Sequence, residues 1–265
     1  MWNPTQIKYS IKVLHTSTNV VRVMTDDGIG YLKVMGNPEG PHALIREYIG
    51  TSVAKFLGLK TLEFAIIEIT NDDKMELANG NCAQSGPAFI TKEVLNPIVG
   101  SKVPLKKVVN RDHFCGLIIA DTLLMNRDRY PGLNNKPNFD NLLFSNVRKN
   151  EYELIAMDFS HCMHASQSIN RSLKSIDIIK NDELYGFFPE FRSYIDKSSF
   201  EPFHEKLKLL DENCIITILA SVPAEWELNS TIKEIIITFL VQRSKFLYEH
   251  IEQLIAHEDG KLFLM

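Results

Sequence analysis

The hydrophobic pattern of this chain changes period once, and that change limits the folds open to it. Up to residue 95 the apolar residues come in short β-prone runs, with one stretch of helical spacing among them. VVRVMT (20–25) and YLKVM (31–35) are joined by DDGIG, a hairpin signal. LEFAIIEI (62–69) and PAFITKEVL (87–95) read as two further strands. Between these pairs, after Pro38, Gly40 and Pro41, the residues Leu44, Ile45, Tyr48, Ile49, Val53, Phe56 and Leu57 share one face of a helix that should stop at Gly58. From Arg111 the order becomes a helix (FCGLIIADTLLM, with Phe114, Leu117, Ile118 and Met125 on one side), a polar loop, and two strands around a polar turn (NLLFSNVRKNEYELIAMD). After about residue 170 the spacing is helical, as in FEPFHEKLKLL and TIKEIIITFLVQRSKFLYEHIEQLIAH. This order predicts an α+β chain in two lobes, with the break at 95–110. The smaller, strand-rich lobe is expected over 1–98, and the mainly helical lobe, holding the polar loop and the hairpin, over 99–265.

The chain has 265 residues, 45% of them hydrophobic and 23% charged, enough to bury a sizeable core. Its net charge of −4 advertises no nucleic-acid partner, and Lys102, Lys106 and Lys107 are too short a run to change that. No stretch approaches the ~18 apolar residues of a membrane span. Lys8 and Lys12 interrupt any apolar run near the start, so no secretory signal is expected. Cys82, Cys115, Cys162 and Cys214 lie far apart without CxxC spacing, which suits reduced thiols. A cytoplasmic protein is expected.

Between Met125 and Phe144 the chain reads MNRDRYPGLNNKPNFDNLLF, with five Asn, two Asp and three basic residues. Turn chemistry accounts for part of this. The hairpin gives a second reason. With a turn over 148–151, Asn141 stands opposite Asp158 at the open end of the ribbon, beside the loop that carries Asp128. Such a pair offers hard oxygen ligands without filling an ion's shell, as Mg²⁺ accepts alongside phosphate oxygens and water. Asp128 could then orient an attacking hydroxyl and take its proton. A lysine should hold the phosphates from the other side. Lys33 lies mid-strand in YLKVM, and Glu47, fourteen residues on, sits among the apolar residues of the following helix. Kinases fix the α- and β-phosphates with a strand Lys paired to a helix Glu in this way. The bland alternative puts Lys33 on an exposed sheet face and Glu47 at the surface; the five residues in this order favour phosphoryl transfer.

These motifs resemble the HipA-like kinase family, within the protein-kinase-like fold. The resemblance covers nearly the whole chain: YLKVM with REYIG, then NRDR, DNLLF and MDFSHC, and finally ILASVPAEWEL before a helix containing FLVQRSKFL. It implies a kinase using ATP and Mg²⁺. Lys33 would contact the nucleotide phosphates, Glu47 would pair with it, and Asp128 would be the catalytic base. Asn141 and Asp158 would hold Mg²⁺, with DFS where many kinases have DFG. The strand FITKEVL would lead into the hinge, so main-chain groups of Thr91, Lys92 and Glu93 would meet the adenine. Arg129 and His161 would help to orient the site.

The chain also departs from kinase patterns. It has no GxGxxG between the first strands and no GxxxxGK[ST]. HTSTN (15–19) would cover the phosphates instead, with Thr16, Ser17 and Thr18 donating main-chain N–H groups and hydroxyls. Relatives can be autophosphorylated on a serine in this loop, which makes Ser17 a regulatory candidate. The loop from Asp128 to Asn141 is longer than the family's compact spacing, so Asn138 rivals Asn141 for the metal.

By analogy the acceptor is a serine or threonine hydroxyl on an unidentified protein, although a small-molecule or lipid kinase would use the same constellation. A pseudokinase should have lost at least one of the five residues. A toxin silenced by a regulatory partner would be consistent with the same sequence. HCMH (161–164) has no second Cys/His cluster to complete a zinc site, and Cys162 reads as a small buried residue. Asp121 should order the loop at Asn126 to Arg129, and Trp226 should anchor the helical tail.

Overall fold

The computed structural model describes residues 2–73, 75–100, 102–132, 136–163 and 168–259; residues 133–135 of the polar loop and His164 of HCMH lie outside them. The chain begins with strands β1 (Ile7–Val13), β2 (Val21–Thr25) and β3 (Gly28–Lys33), then helix α1 (His42–Leu57), then β4 (Phe64–Ile69) and β5 (Gly86–Lys92). These strands form one antiparallel sheet in the order β1-β2-β3-β5-β4. A second sheet, β6-β7-β8, joins β6 (Ile98–Val99) to the hairpin of β7 (Leu143–Arg148) and β8 (Glu151–Ile155). The helices that follow the first sheet are α2 (His113–Leu124), α3 (Ile176–Ile179), α4 (Lys197–Leu209), α5 (Glu212–Leu219) and α6 (Ser230–Asp259). No helix among the described residues is long and apolar enough to cross a membrane.

Local chemistry explains the elements that frame the site. The β2–β3 turn is held by Thr25, whose hydroxyl donates to the Gly28 carbonyl and accepts from the Asp27 N–H. Helix α1 ends at Gly58, where φ is 99° and the N–H groups of Gly58 and Leu59 return to the Lys55 and Ala54 carbonyls. A residue with a Cβ resists that left-handed cap, so glycine sets the helix length.

β1 has no counterpart in the sequence reading. Five of its seven residues are exposed and its pairing with β2 is twice irregular, so no alternation marks it. Helix α2 is enclosed all round, with Phe114 to Leu124 buried, where one apolar face was expected.

The β7–β8 register also differs from the expectation. Arg148 pairs with Glu151 as a turn over 148–151 requires, but a bulge between Asn146 and Arg148 shifts the rest, and Leu143 faces Ile155. By that register Asn141 stands opposite Met157 rather than Asp158. A one-residue slip would turn Asp158 to the other face of a regular strand. Asp158 instead lies outside the strand with φ 57°, which re-aims its side chain.

The apolar residues form two bodies. The smaller lies within the first sheet, around Val21, Val23, Leu32, Val34, Ile67 and Ile90. The larger includes Leu44, Ile45, Ile49 and Val53 of α1, almost all of α2, and the inner faces of α4 and α6. Trp226 is fully buried in this body, and its indole N–H donates to the Pro87 carbonyl at 2.8 Å, tying the helical tail to β5.

Candidate active site

A cavity of about 290 Å³ opens between the first sheet and the start of the β7–β8 hairpin. Leu14, Val20, Leu62, Phe89, Leu143, Ala156 and Met157 give it apolar walls, and Lys33, Glu47, Asp158 and Lys92 are the charged groups among its lining. Lys33 Nζ lies 2.6 Å from Glu47 Oε2 and 2.9 Å from Asp158 Oδ1, so one ammonium joins β3, α1 and the segment after β8. Glu47 Oε2 also accepts the Phe159 N–H at 3.1 Å, and the Ser160 hydroxyl donates to Asp158 Oδ1 at 2.8 Å. The Glu47 side chain is 4% exposed and that of Asp158 34%, so Asp158 is the carboxylate that faces the cleft.

Burial works against a charge on Lys33, but Asp158 and Glu47 outweigh it and hold the amine above its ordinary pKa. Burial likewise penalises the Asp158 carboxylate, yet Lys33 and Ser160 keep it well below the usual carboxylate range. Glu47 is pushed up by burial, with Lys33 pulling the other way. At neutral pH the cleft therefore presents an ammonium beside an ionised carboxylate.

The loop after α2 carries the other expected site residues, Asp128 and Asn141, neither of which lines the cavity. Met125 takes the left-handed conformation that ends the helix, and Asn126 folds back so that its N–H and side chain bond the carbonyl and carboxylate of Asp121. Two residues on, Asp128 Oδ2 accepts from Asn141 Nδ2 at 2.8 Å. Asn141 is 7% exposed and ends a 3₁₀ turn, Phe139–Asn141, that leads into β7. Asn138 meets the loop through its N–H, which donates to the Arg129 carbonyl. Arg129 is fully buried: its Nε donates to Asp121 Oδ2 at 2.7 Å, one Nη to the Asn141 carbonyl, and the other to the Met157 carbonyl at 2.9 Å. Asp121 thus orders the loop through both Asn126 and Arg129.

The segment HTSTN joins Leu14 to Val20, both of which line the cavity, although none of its own five residues does. Thr16 Oγ1 accepts the Val20 N–H, and Thr18 is buried at 2% exposure. Ser17 is exposed, and its Oγ lies 3.0 Å from His161 Nε2, which places this loop against the segment that follows Asp158.

Thr91 and Lys92 line the cavity, and two main-chain donors of this segment are paired within the protein. The Lys92 N–H bonds the Glu63 carbonyl and the Glu93 N–H bonds the Ile29 carbonyl. Val94 is the next residue of this segment to line the cavity. Glu93 turns its carboxylate to Arg22, at 2.7 and 3.0 Å, and to the Tyr31 hydroxyl at 3.0 Å.

Cys162 is buried with its Sγ 3.7 Å from the Arg46 carbonyl, and burial pushes its thiol up, away from nucleophilic use. Among the described residues no three His, Cys, Asp or Glu side chains gather as a metal cage. Val94, Ser160 and the Phe159 N–H escaped the sequence reading; only Ser160 had a signal, as the third residue of DFS.

Three comparisons bear on this arrangement. No curated protein matches the chain. Among solved structures, the Helicobacter pylori proinflammatory kinase CtkA aligns over 99% of this chain and 100% of its own, with 16% identity and a TM-score of 0.60, a likeness of fold. The Golgi casein kinase with Mn and ADP bound aligns over 97% of this chain and 75% of its own, at 12% identity and a TM-score of 0.48. The family model described as HipA-like kinase matches residues 12–254, nearly the whole of the two sheets and the helices behind them, and the chain belongs to that family.

Proposed function

We propose that this kinase transfers the terminal phosphoryl group of ATP, with Mg²⁺, to serine or threonine hydroxyls of a protein in the cytoplasm, its own Ser17 among the acceptors. The observation that carries this reading is Lys33 held between Glu47 and Asp158 at the edge of an apolar cavity. Phosphoryl transfer asks the protein for position and charge more than for covalent chemistry, and these residues supply both.

The donor set fits Mg²⁺. Lys33 and Ser160 occupy Oδ1 of Asp158, which leaves Oδ2 for an ion, and Asn141 gives its amide N–H to Asp128, which leaves its carbonyl oxygen. One carboxylate and one amide oxygen suit an ion that completes its shell with phosphate and water. The burial of Asn141 and its bond to Asp128 favour it over Asn138. Bound there, Mg²⁺ would neutralise phosphate charge. Lys33 would hold the phosphates, and Glu47 would keep Lys33 in place. Asp128, with Oδ2 fixed by Asn141, would present Oδ1 to an acceptor hydroxyl, orient it and take its proton. The apolar walls from Leu14, Val20, Leu143 and Ala156 would hold the base. Ser17 qualifies as an acceptor because it is exposed on the loop packed beside His161.

The test is intact mass before and after Mg·ATP. The wild type should gain phosphate, Asp128→Ala and Asp158→Ala should gain none, and Ser17→Ala should lose self-transfer while keeping transfer to other proteins. A wild type that neither gains phosphate nor passes it to any protein would overturn the kinase reading in favour of a nucleotide-binding module.

A further inference from the structure

We infer that Arg129 is the positioning residue that sets the separation of Asn141 and Asp158, and with it the affinity for the metal; the inference rests on the kinase reading above. The β7–β8 ladder ends where Leu143 faces Ile155. Two residues further along each chain, no strand pairing holds the ends together. There the Arg129 guanidinium takes over, accepted by the carbonyls of Asn141 and Met157 at once. Asn141 bears one metal ligand, and Met157 immediately precedes the other. The distance across the open end of the hairpin is therefore set by the width of one rigid, planar fork.

The fork is fixed in turn. Its Nε is held by Asp121, both side chains being wholly buried, and the Phe159 ring lies 5.6 Å from the guanidinium carbon. Asp121 is pinned from behind by Gly186: a Cβ there would stand 2.5 Å from Asp121 Oδ2. Arg129 is also bonded through the chain to Asp128. One side chain thus fixes the relation of the base to both ligands without touching the reacting atoms. Lysine keeps the charge but offers no planar fork, so it cannot bridge three acceptors in one plane. A buried ion pair placed for stability alone is an uneconomical choice, since apolar residues of similar volume often do as well or better.

The experiment measures Mn²⁺ binding to Arg129→Lys by electron paramagnetic resonance, in the presence of a non-hydrolysable ATP analogue. Nucleotide binding in chelator and the melting temperature are measured alongside. Mn²⁺ affinity should fall about tenfold or more, the usual loss when a group supporting a metal ligand is changed. Nucleotide affinity without metal should be unchanged. A merely structural Arg129 would lower the melting temperature and leave the metal affinity of folded protein untouched, and that result overturns the inference. Should Arg129→Lys fail to fold, Asp121→Asn keeps the size and one acceptor oxygen of the anchor. It should weaken Mn²⁺ binding in the same direction, and wild-type affinity there overturns the inference equally. A wild type that binds the nucleotide but no Mn²⁺ removes the metal reading beneath the inference; one that binds neither removes the kinase reading itself.

Discussion

A Cβ built on Gly50 would stand 2.3 Å from the Cβ of Phe159, so α1 and the segment after Asp158 meet at a point with no room for a methyl group. The same contact brings Glu47 to the Phe159 N–H and to Lys33. Gly50→Ala sets two effects against each other. Alanine favours a helix by about 1 kcal/mol over glycine. Overpacking a tight site costs about 1–3 kcal/mol. Since the clash involves a Cβ and a ring carbon rather than a flexible tip, overpacking should win. Gly50→Ala should lower the melting temperature and reduce phosphoryl transfer at temperatures where the variant is still folded. An increase in stability would mean that α1 has slack to move.

Lys33→Met leaves Glu47 and Asp158 facing each other without their cation. Transfer should fall by about 10²-fold or more, the scale on which removal of one transition-state electrostatic contact is felt. Initial rates of phosphate incorporation, with circular dichroism to confirm the fold, would test this. A folded variant with an unchanged rate would remove Lys33 from the mechanism.

His42 makes stability depend on pH. It is buried at the start of α1, and its Nδ1 accepts the Ile169 N–H at 2.8 Å. Burial, aided by the charge of Arg46, pushes its pKa below the ordinary value of 6.5. The unfolded chain therefore binds a proton more readily than the folded one. His42 contributes stability that is fully present above about pH 6.5 and is lost as pH falls toward the lowered folded value. Urea midpoints should drop between pH 7.5 and 5.5 for the wild type, and drop less for His42→Gln. Equal drops would show that other groups carry the effect.

Arg243 is buried behind the site, and its hydrogen bonds run to the carbonyls of Thr122, Ile178, Ile179 and Asn181. Burial pushes its pKa down to about 10. Arg243→Met would leave dry carbonyls at the ends of α2 and α3, at a cost of about 3 kcal/mol. Arg243→Lys should cost less, because it retains the charge and some of the bonds. Denaturant midpoints for the pair would check the order, and a Met variant as stable as the wild type would contradict it.

The parts of this molecule that could be read from sequence are those governed by neighbours in the chain. Helix α1 and its stop at Gly58 follow from apolar spacing and a glycine cap, and the β2–β3 turn follows from its Asp-Asp-Gly chemistry. Where one residue decides between two pairings, local pattern gave no warning, as at the bulge between Asn146 and Arg148. β1 was invisible because an edge strand with five exposed residues carries no alternation. The order of motifs indicated which site residues to look for, but not which groups they would use. That the Lys92 and Glu93 N–H groups are spent on Glu63 and Ile29 depends on strands brought together by the fold. Ser17 and His161 lie 144 positions apart, and no spacing rule reaches that far.

Lys33 sits between Leu32 and Val34, which belong to the smaller hydrophobic body, while Glu47 sits between Ile45 and Ile49, which belong to the larger. Their ion pair is thus a stitch across a seam between two separately packed bodies. Sliding one over the other would strain this pair together with the Lys33–Asp158 pair and the Trp226–Pro87 bond, while each core kept its internal contacts. Any movement of the first sheet against α1 is therefore registered at Lys33, whose amine stands 2.6 Å from Glu47 across that seam.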